Sequence, residues 1–311
     1  MIAVRYARAG DAGSILRCLR AAFEPYEADY TDAAFRETVL DPALLRTRMA
    51  RMAVLVADRG GEIAGTIAAE RAESGEGHLR GMAVLPECQG AGAGRLLLRR
   101  ALDELTVAGC TRVTLDTTLP LVRAQRFYSR NGFAPTGRMT DFFGMPLHQF
   151  AAPLDAGFDF REASLHDAGA LLRVINAAFV VEGHFVTGDR IGKDELHRCF
   201  ETGAFLIASR PDEPPSASIF LRPNGERRTY LGMLAVDPAR QRRRLGSLMM
   251  AAAERHCRAR GDEAIDISVV NLRTELPPFY RARGFVEIGT SPFDDPRAFK
   301  PAHFIRMTLA L

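Results

Sequence analysis

The sequence predicts two tandem α/β domains, each with a mixed sheet flanked by helices. Three observations predict this class: the chain length, an internal repeat, and an alternation of strand-like and helix-like segments. The 311 residues suffice for two domains of about 155 residues each. The composition, 47% hydrophobic and 25% charged, is typical of a soluble globular protein.

Composition also excludes several classes of protein. No apolar run approaches the roughly 18 residues of a transmembrane helix, and the N-terminus does not resemble a signal peptide. The net charge of +3 is too small to indicate nucleic-acid binding. The five cysteines and seven histidines form no CxxC, no HExxH and no Cys/His cluster. We therefore expect a cytoplasmic protein without a bound metal, a nucleic-acid partner or a membrane partner.

The second half of the chain repeats the first. Three blocks recur in the same order, 152 to 156 residues later: Asp11-Ala12-Gly13 as Asp167-Ala168-Gly169, Ala83-Val84-x-Pro86 as Ala235-Val236-x-Pro238, and Phe127-Tyr128-x-x-x-Gly132-Phe133 as Phe279-Tyr280-x-x-x-Gly284-Phe285. Collinear repeats predict two copies of one fold. The expected domains are 1–154 and 155–311, joined by the short linker Asp155-Ala156-Gly157.

The elements are expected in the same order in both copies. A helix over 11–23 follows Asp11, a suitable N-cap. Apolar runs bounded by glycine turns predict strands over 52–57, 62–70 and 78–85. An amphipathic helix over 92–108, a strand over 112–117 and a helix over 121–130 follow. Gly132 ends that last helix, and a final strand covers 148–154. The second copy gives 166–179, 204–209, 216–221, 229–236, 244–260, 264–270, 275–282 and 303–309.

A glycine-rich segment, Gln89-Gly90-Ala91-Gly92-Ala93-Gly94, joins a predicted strand to the next helix. Free N–H groups at a helix N-terminus bind anions, and glycines let a phosphate approach the backbone. Packing of small residues on the sheet would explain the same composition, so the loop alone leaves both interpretations open. The alternating glycines do not fit GxGxxG, and no Gly-Lys-Ser/Thr follows as in a Walker loop.

The pattern Val84-x-Pro86-x-x-Gln89-x-x-Gly92-x-Gly94 resembles the acetyl-CoA loop of the GNAT superfamily of N-acetyltransferases. The Phe-Tyr-x-x-x-Gly-Phe block at Phe127 resembles a later motif of that family. Both occur twice, so the resemblance covers nearly the whole chain. It implies two GNAT-like domains, each a mixed, mostly antiparallel sheet flanked by helices, with acetyl-CoA as cosubstrate and a small primary amine as acceptor.

The resemblance also implies which residues bind acetyl-CoA. In domain 1 they are Met82, Ala83, Val84, Gln89, Gly90, Ala91, Gly92, Ala93 and Gly94. In domain 2 they are Leu234, Ala235, Val236, Gln241, Arg242, Arg243, Arg244, Leu245, Gly246 and Asn271. Arg244 stands where the family has its first glycine. The arginines of this loop therefore either form a solvated basic face or bind the CoA phosphates through their guanidinium groups.

Three catalytic roles follow from the resemblance. Backbone N–H groups near 82–84 or 234–236 would stabilise the oxyanion, and Tyr128 and Tyr280 would act as general acids on the CoA thiolate. Glu70 and His78 are candidate bases, each also explicable as a surface residue, and Asp266 is expected to be structural. Acidic and aromatic residues between 24 and 41 either line a pocket for a cationic amine or form a solvated helix face.

The first hypothesis is therefore an acetyl-CoA-dependent N-acetyltransferase of the EC 2.3.1 class, with domain 1 better preserved. The alternative is a non-catalytic CoA-binding or interaction protein with degenerate GNAT domains, which acetyl transfer to an amine panel would distinguish. A dinucleotide-binding oxidoreductase is disfavoured because residues 86–89 separate the strand from its first glycine, whereas a Rossmann turn begins at once.

Overall fold

The computed structural model describes residues 1–154 and 157–311. Asp155 and Ala156, at the expected domain boundary, lie outside the described residues. The chain divides into two compact units, Met1–Ala156 and Gly157–Leu311. Within the described ranges, no helix is long and apolar enough to cross a membrane.

The first unit is a seven-stranded sheet with five helices. The strands are β1 (Ala3–Tyr6), β2 (Ala53–Arg59), β3 (Glu62–Arg71), β4 (Gly77–Val84), β5 (Arg112–Thr118), β6 (Ala134–Phe142) and β7 (Met145–Pro153). The helices are α1 (Ala12–Phe23), α2 (Asp32–Val39), α3 (Pro42–Arg51), α4 (Ala93–Val107) and α5 (Val122–Arg130). The order in the sheet is β1-β2-β3-β4-β5-β7-β6, and β4–β5 is its parallel pair.

The second unit repeats this arrangement. Its strands are β8 (Asp159–Glu162), β9 (Ala204–Ser209), β10 (Ala217–Pro223), β11 (Arg228–Val236), β12 (Ala264–Val270), β13 (Val286–Pro292) and β14 (His303–Ala310). Its helices are α6 (Ala168–Phe179), α7 (Lys193–Thr202), α8 (Leu245–Ala259) and α9 (Leu276–Arg281). The order β13-β14-β12-β11-β10-β9-β8 again has one parallel pair, β11–β12. The predicted mixed, mostly antiparallel fold class is confirmed.

Apolar side chains cover both faces of the first sheet. On one face, α4 packs Leu97, Leu98 and Leu105 against the strands. On the other, α1 and α3 bury Ile15 and Leu45. Successive residues of a strand point to opposite faces, so the strands in the middle of the sheet contribute to both layers. We call the first the loop face and the second the histidine face.

The sheet opens at its parallel pair. β4 and β5 are paired only at Gly77, His78 and Leu79, opposite residues 113–115. A β-bulge then interrupts the pairing of β4 with β3, and Gly81 within it has a φ of 58°. A bulge bends a strand and increases its twist. The remainder of β4 therefore diverges from β5 and borders a cleft.

Several elements were not predicted: β1, α2, α3 and β6 in the first unit, and β8, α7 and β13 in the second. β1 and β8 have only four residues each, too few for a period-2 pattern. The core-facing side of α3 buries only Leu45, and that of α7 only Leu196. The apolar pattern of α3 is only weakly helical, whereas α7 is amphipathic and could have been recognised from its periodicity.

Candidate active site

A pocket of about 650 Å³ occupies the cleft of the first unit. It is lined by the diverging ends of β4 and β5, the loop that precedes α4, and residues of α5. Of the residues predicted to bind a cosubstrate, those lining it are Met82, Ala83, Val84, Gln89, Gly90, Gly92 and Gly94. Tyr128 and His78 line it as well. Ala91 is exposed on the loop, and Ala93, the first residue of α4, is buried.

Within the described residues, the loop before α4 leaves the backbone N–H groups at the start of that helix without a side-chain cap. Gly90 and Gly92 have φ values of 82° and 89°, a left-handed conformation that glycine adopts without steric cost. Gly92 is the N-cap of α4, and among the described residues no side chain caps this end. The Gln89 side chain fixes the loop by donating from Nε2 to the Val84 carbonyl at 3.2 Å. The first N–H groups of α4 are therefore available to a ligand.

The second unit keeps this backbone without the glycines. Arg242 and Arg244 occupy the two left-handed positions, with φ values of 61° and 67°. Gln241 donates to the Val236 carbonyl at 3.2 Å, as Gln89 does in the first unit. The two loops share a conformation, but in the second unit two arginine side chains project where the first has open space.

Tyr128 lies on the loop face of the cleft. Its hydroxyl donates to Met82 Sδ at 3.4 Å, and its ring packs edge-on against Phe127 and Phe133. Burial raises the pKa of the Tyr128 hydroxyl well above its usual value. The hydroxyl therefore keeps its proton at neutral pH, and a thioether is a weak hydrogen-bond acceptor. This proton is available to a better acceptor that enters the cleft.

His78 lies on the opposite, histidine face. Its Nδ1 is 3.0 Å from Thr114 Oγ1, and its Nε2 is 3.7 Å from Asp116 Oδ2. Burial lowers the pKa of His78, against the opposing effect of the Asp116 carboxylate. The ring is thus neutral at pH 7 and able to accept a proton. Once protonated, it would donate toward Thr114 and Asp116.

Glu70, the other candidate base, is placed less favourably. It lies directly opposite His78 in the antiparallel register of β3 and β4. Its side chain does not line the cleft. Its charge acts on His78, where it opposes the lowering of the pKa. The geometry therefore favours His78 over Glu70 as the proton acceptor.

Most acidic residues of the 24–41 segment lie outside the cleft. Glu24 and Glu27 form exposed ion pairs with Arg20, and Asp41 caps α3 by accepting from the N–H groups of residues 43 and 44. Glu37 lines the cleft, as do the aromatic rings of Tyr26 and Tyr30. Of the two alternatives, a pocket for a cationic amine and a solvated helix face, most of the acidic residues in this segment fit the solvated face.

The sequence did not reveal several residues on the histidine face. Tyr30 shares a hydrogen bond of 2.8 Å with Thr118 Oγ1. Asp116 borders His78, and the guanidinium groups of Arg48 and Arg80 line the same side of the cleft. The alternation of β5, which buries Val113 and Leu115 on the loop face, could have placed Asp116 on this face. Nothing in the sequence pattern marks Arg48.

In the second unit, two of the positions equivalent to the histidine face are apolar. Phe185 follows α6 as Tyr30 follows α1, and Val270 occupies the position of Thr118. Instead of a hydrogen bond between them, Phe185 is fully buried and packs with Val270, Phe293 and Phe304. Tyr230 stands at the position of His78. The second unit therefore lacks the histidine–aspartate pair.

The side chains of two further candidate residues in the second unit form contacts that hold neighbouring segments together. Asn271 accepts a hydrogen bond from the His303 N–H at 2.9 Å through its side-chain oxygen, which fastens the end of β12 to β14. Asp266 pairs with Arg228 and accepts from Asn224 at 2.9 Å, consistent with the structural role expected for it. Tyr280 is buried, and burial raises its pKa to about 12.

Two solved structures illustrate the resemblance of single domains to this chain. The PaiA N-acetyltransferase of Thermoplasma acidophilum, solved in complex with coenzyme A, is 18% identical with a TM-score of 0.42, over 48% of this chain and 98% of its own. YncA of Salmonella typhimurium, solved with its cofactor acetyl-CoA, is 21% identical with a TM-score of 0.40, over 50% of this chain and 95% of its own.

Sequence comparison identifies the family. Uncharacterised N-acetyltransferases of Mycobacterium bovis and Mycobacterium tuberculosis are 32% identical to this chain over 114 residues, which is 37% of this chain and 68% of each relative. The sequence profile of the acetyltransferase (GNAT) family matches twice, at residues 15–133 and 179–285. These matches cover well over half of the chain, one in each unit, and this chain therefore belongs to the acetyltransferase (GNAT) family.

Proposed function

We propose that this protein is an acetyl-CoA-dependent N-acetyltransferase of the EC 2.3.1 class, with its catalytic centre in the first unit. The observation that carries the proposal is one cleft containing three features on two faces. An uncapped glycine loop and a proton-bearing tyrosine lie on the loop face, and a neutral histidine lies on the histidine face. Family membership supports the reaction class. All five cysteines are free thiols, which fits a reducing cytoplasm.

The loop face fits acetyl-CoA. The N–H groups that open α4 would hold the pyrophosphate, and Gly90 and Gly92 leave open space for it, since a Cβ at either position would meet no atom within 4 Å. Arg95 and Arg123 also line the cleft and would add charge-assisted contacts to phosphate oxygens. The end of β4, which is paired with β3 but not with β5, would align the thioester and supply an N–H donor to the oxyanion.

The two faces then divide the proton transfers. His78 accepts the proton that the attacking ammonium must lose, and Asp116 stabilises the resulting imidazolium. The amine nitrogen bonds to the acetyl carbon, and the carbon–sulfur bond breaks. Tyr128 gives its proton to the departing thiolate, which is a far stronger acceptor than the Met82 thioether. Each of these groups lines the same pocket.

The second unit is proposed to be non-catalytic. It has no histidine at the position of His78, and an apolar cluster around Phe185 fills the space where an amine would enter. An ion pair between Arg273 and Glu182 at 2.9 Å, both largely buried, ties the segment after α6 to the end of β12. The corresponding segments of the first unit, after α1 and at the end of β5, border the cleft.

The test is thioester turnover. Purified protein is mixed with acetyl-CoA and a broad panel of amines, and release of free thiol is followed against a Tyr128→Phe variant. Amine-dependent thiol release that falls in the variant supports the proposal. Saturable binding of acetyl-CoA without transfer to any amine would instead establish the alternative, a non-catalytic CoA-binding protein.

A further inference from the structure

Arg48 extends from α3 into the cleft of the first unit. Its guanidinium lies against Gly81 in the bulge of β4, in the space that a Cβ on residue 81 would occupy. Glycine at position 81 therefore makes room for this side chain, because a Cβ there would overlap the guanidinium. This contact positions the positively charged guanidinium beside the segment of β4 that diverges from β5.

No carboxylate within residues 1–154 and 157–311 pairs with this guanidinium. In the part of the chain that the structure describes, no side chain forms an ion pair or hydrogen bond with Arg48. The charges of Glu37 and Glu70 act on it only at longer range. Burial lowers the pKa of Arg48 to about 10, so the group still carries its charge at neutral pH. A half-buried cation without a counter-ion costs free energy that an incoming anion would recover.

The anion is not part of acetyl-CoA as placed above. The glycine loop, Met82 and Tyr128 belong to the loop face, which packs on α4. Arg48 comes from α3 and lies on the histidine face, with His78 and Arg80. These groups border the side of the cleft where the acceptor amine, which His78 would deprotonate, is expected to bind.

The second unit provides an internal comparison. Leu45 and Leu196 are the buried leucines of α3 and α7, and three residues further on, Arg48 corresponds to Cys199. Met233 stands at the position of Gly81, also with a positive φ, 46°, and its side chain packs into the core of that unit. The arginine and the glycine that makes room for it occur together in the unit with the histidine and are both absent from the other.

We propose that the acceptor is an amine that also carries a carboxylate, and that Arg48 binds this carboxylate while the amino group lies at His78. Arg80 adds a second positive charge on the same face, and Tyr26 and Tyr30 form the walls around the connecting carbon chain. The planar fork of arginine matches a carboxylate with two parallel hydrogen bonds. This inference rests on the function proposed above and names its acceptor class.

The experiment compares amines that differ only in the acid group. Each amino acid in a panel, β-alanine among them, is assayed beside its carboxamide and its decarboxylated amine, with thiol release as the readout. We expect kcat/KM to be at least about 30-fold higher for the carboxylate member. Arg48→Gln should abolish that preference mainly through KM. Arg48→Lys, which keeps the charge but not the fork, should retain part of it.

Arg46→Gln is the matched control, because Arg46 is on the same helix, exposed, and outside the cleft. It should keep the full preference, and thermal unfolding shows whether each variant is folded. Equal use of carboxylate and neutral amines by the unmodified protein would overturn the inference while leaving the acetyltransferase function intact. A preference that survives Arg48→Gln would overturn it too.

Failure of the proposed function gives a different result. If no amine is acetylated, the carboxylate site is measured by calorimetric titration of the CoA-saturated protein with N-acetyl-β-alanine and with its carboxamide. Carboxylate-selective binding that is lost in Arg48→Gln upholds the site. Binding that does not distinguish the two compounds, or that does not depend on Arg48, rejects it.

Discussion

Tyr128 keeps its proton because the fold buries its hydroxyl. Among the described residues, the one hydrogen-bond acceptor within reach of this hydroxyl is the Met82 sulfur, at 3.4 Å. Such a hydroxyl contributes little to stability, since a thioether is a weak acceptor. The same isolation leaves the proton free for a leaving group. Stability and catalysis should therefore respond differently to loss of this one oxygen atom.

We predict that Tyr128→Phe lowers kcat by about 10²-fold and changes the midpoint of thermal unfolding only slightly. Tyr280→Phe is the matched control, because Tyr280 occupies the equivalent position of the second unit and is equally buried. It should leave turnover unchanged. Full kcat in Tyr128→Phe, or a loss in Tyr280→Phe, would assign the proton donor elsewhere.

His78 should set the acid limb of the pH profile. Its pKa lies below the ordinary value of 6.5 because burial disfavours the charged ring, and only the neutral ring accepts a proton. We predict that kcat/KM rises with pH through a pKa below about 6.5 and that His78→Gln removes this limb. Glu70→Gln should keep a limb of the same shape, and an acid limb lost there instead would make Glu70 the base.

The same shift has a consequence for stability. The folded state holds His78 with fewer bound protons than the unfolded chain does, so the free energy of unfolding should fall as the pH drops below about 6.5. His78→Gln should reduce that dependence, measured by urea denaturation at pH 5 and pH 7.5. A pH dependence that is unchanged in His78→Gln would contradict this assignment.

At the scale of elements, the glycine loop and the helix that it opens act together. Gly92 and Gly109 lie at the two ends of α4, with φ values of 89° and 81°, and a Cβ at either would meet no atom within 4 Å. A side chain at either position therefore carries a similar backbone cost, about 1–2 kcal/mol. Only Gly92 borders the cleft.

We predict that Gly92→Leu weakens acetyl-CoA binding at least tenfold, about 1.4 kcal/mol, as measured by calorimetry. Gly109→Leu should lose a comparable amount of stability while its affinity stays unchanged. Equal affinities in the two variants would show that the loop backbone does not contact the cosubstrate.

Elements with a strong local pattern could be predicted from the sequence, and those defined by tertiary contacts could not. The predicted helix 92–108 became α4, Ala93–Val107, because its apolar stripe and its glycines act locally. α2 buries Ala34 and Phe35 alone, so its residues resemble a polar loop. The bulge at Gly81 arises in the pairing of β4 with the neighbouring strand β3, which no local pattern encodes.

At the scale of the whole molecule, the repeat preserves the backbone while the side chains diverge. Both sheets have the same strand order and one parallel pair, and both loops place residues in the left-handed region. The shared fold could be predicted from the sequence because repeated proline, glutamine and tyrosine residues align its two halves. It could not show that Phe185 packs with Val270 in the second unit while Tyr30 and Thr118 border a cleft in the first, since that difference depends on contacts between distant segments.

The divergence leads to a prediction for stoichiometry. Arg244 stands in the left-handed N-cap position of α8, where the first unit has Gly92, and its Cβ and stem occupy the space that a phosphate would need. We therefore expect one acetyl-CoA per full-length chain by calorimetry. Arg244→Gly should relieve backbone strain in the second unit and allow a second, weaker binding event. Should the unmodified chain bind two molecules, with one event that is salt-sensitive and lost in Arg244→Gly, the arginines contact the phosphates directly, and the second unit is a CoA site in its own right.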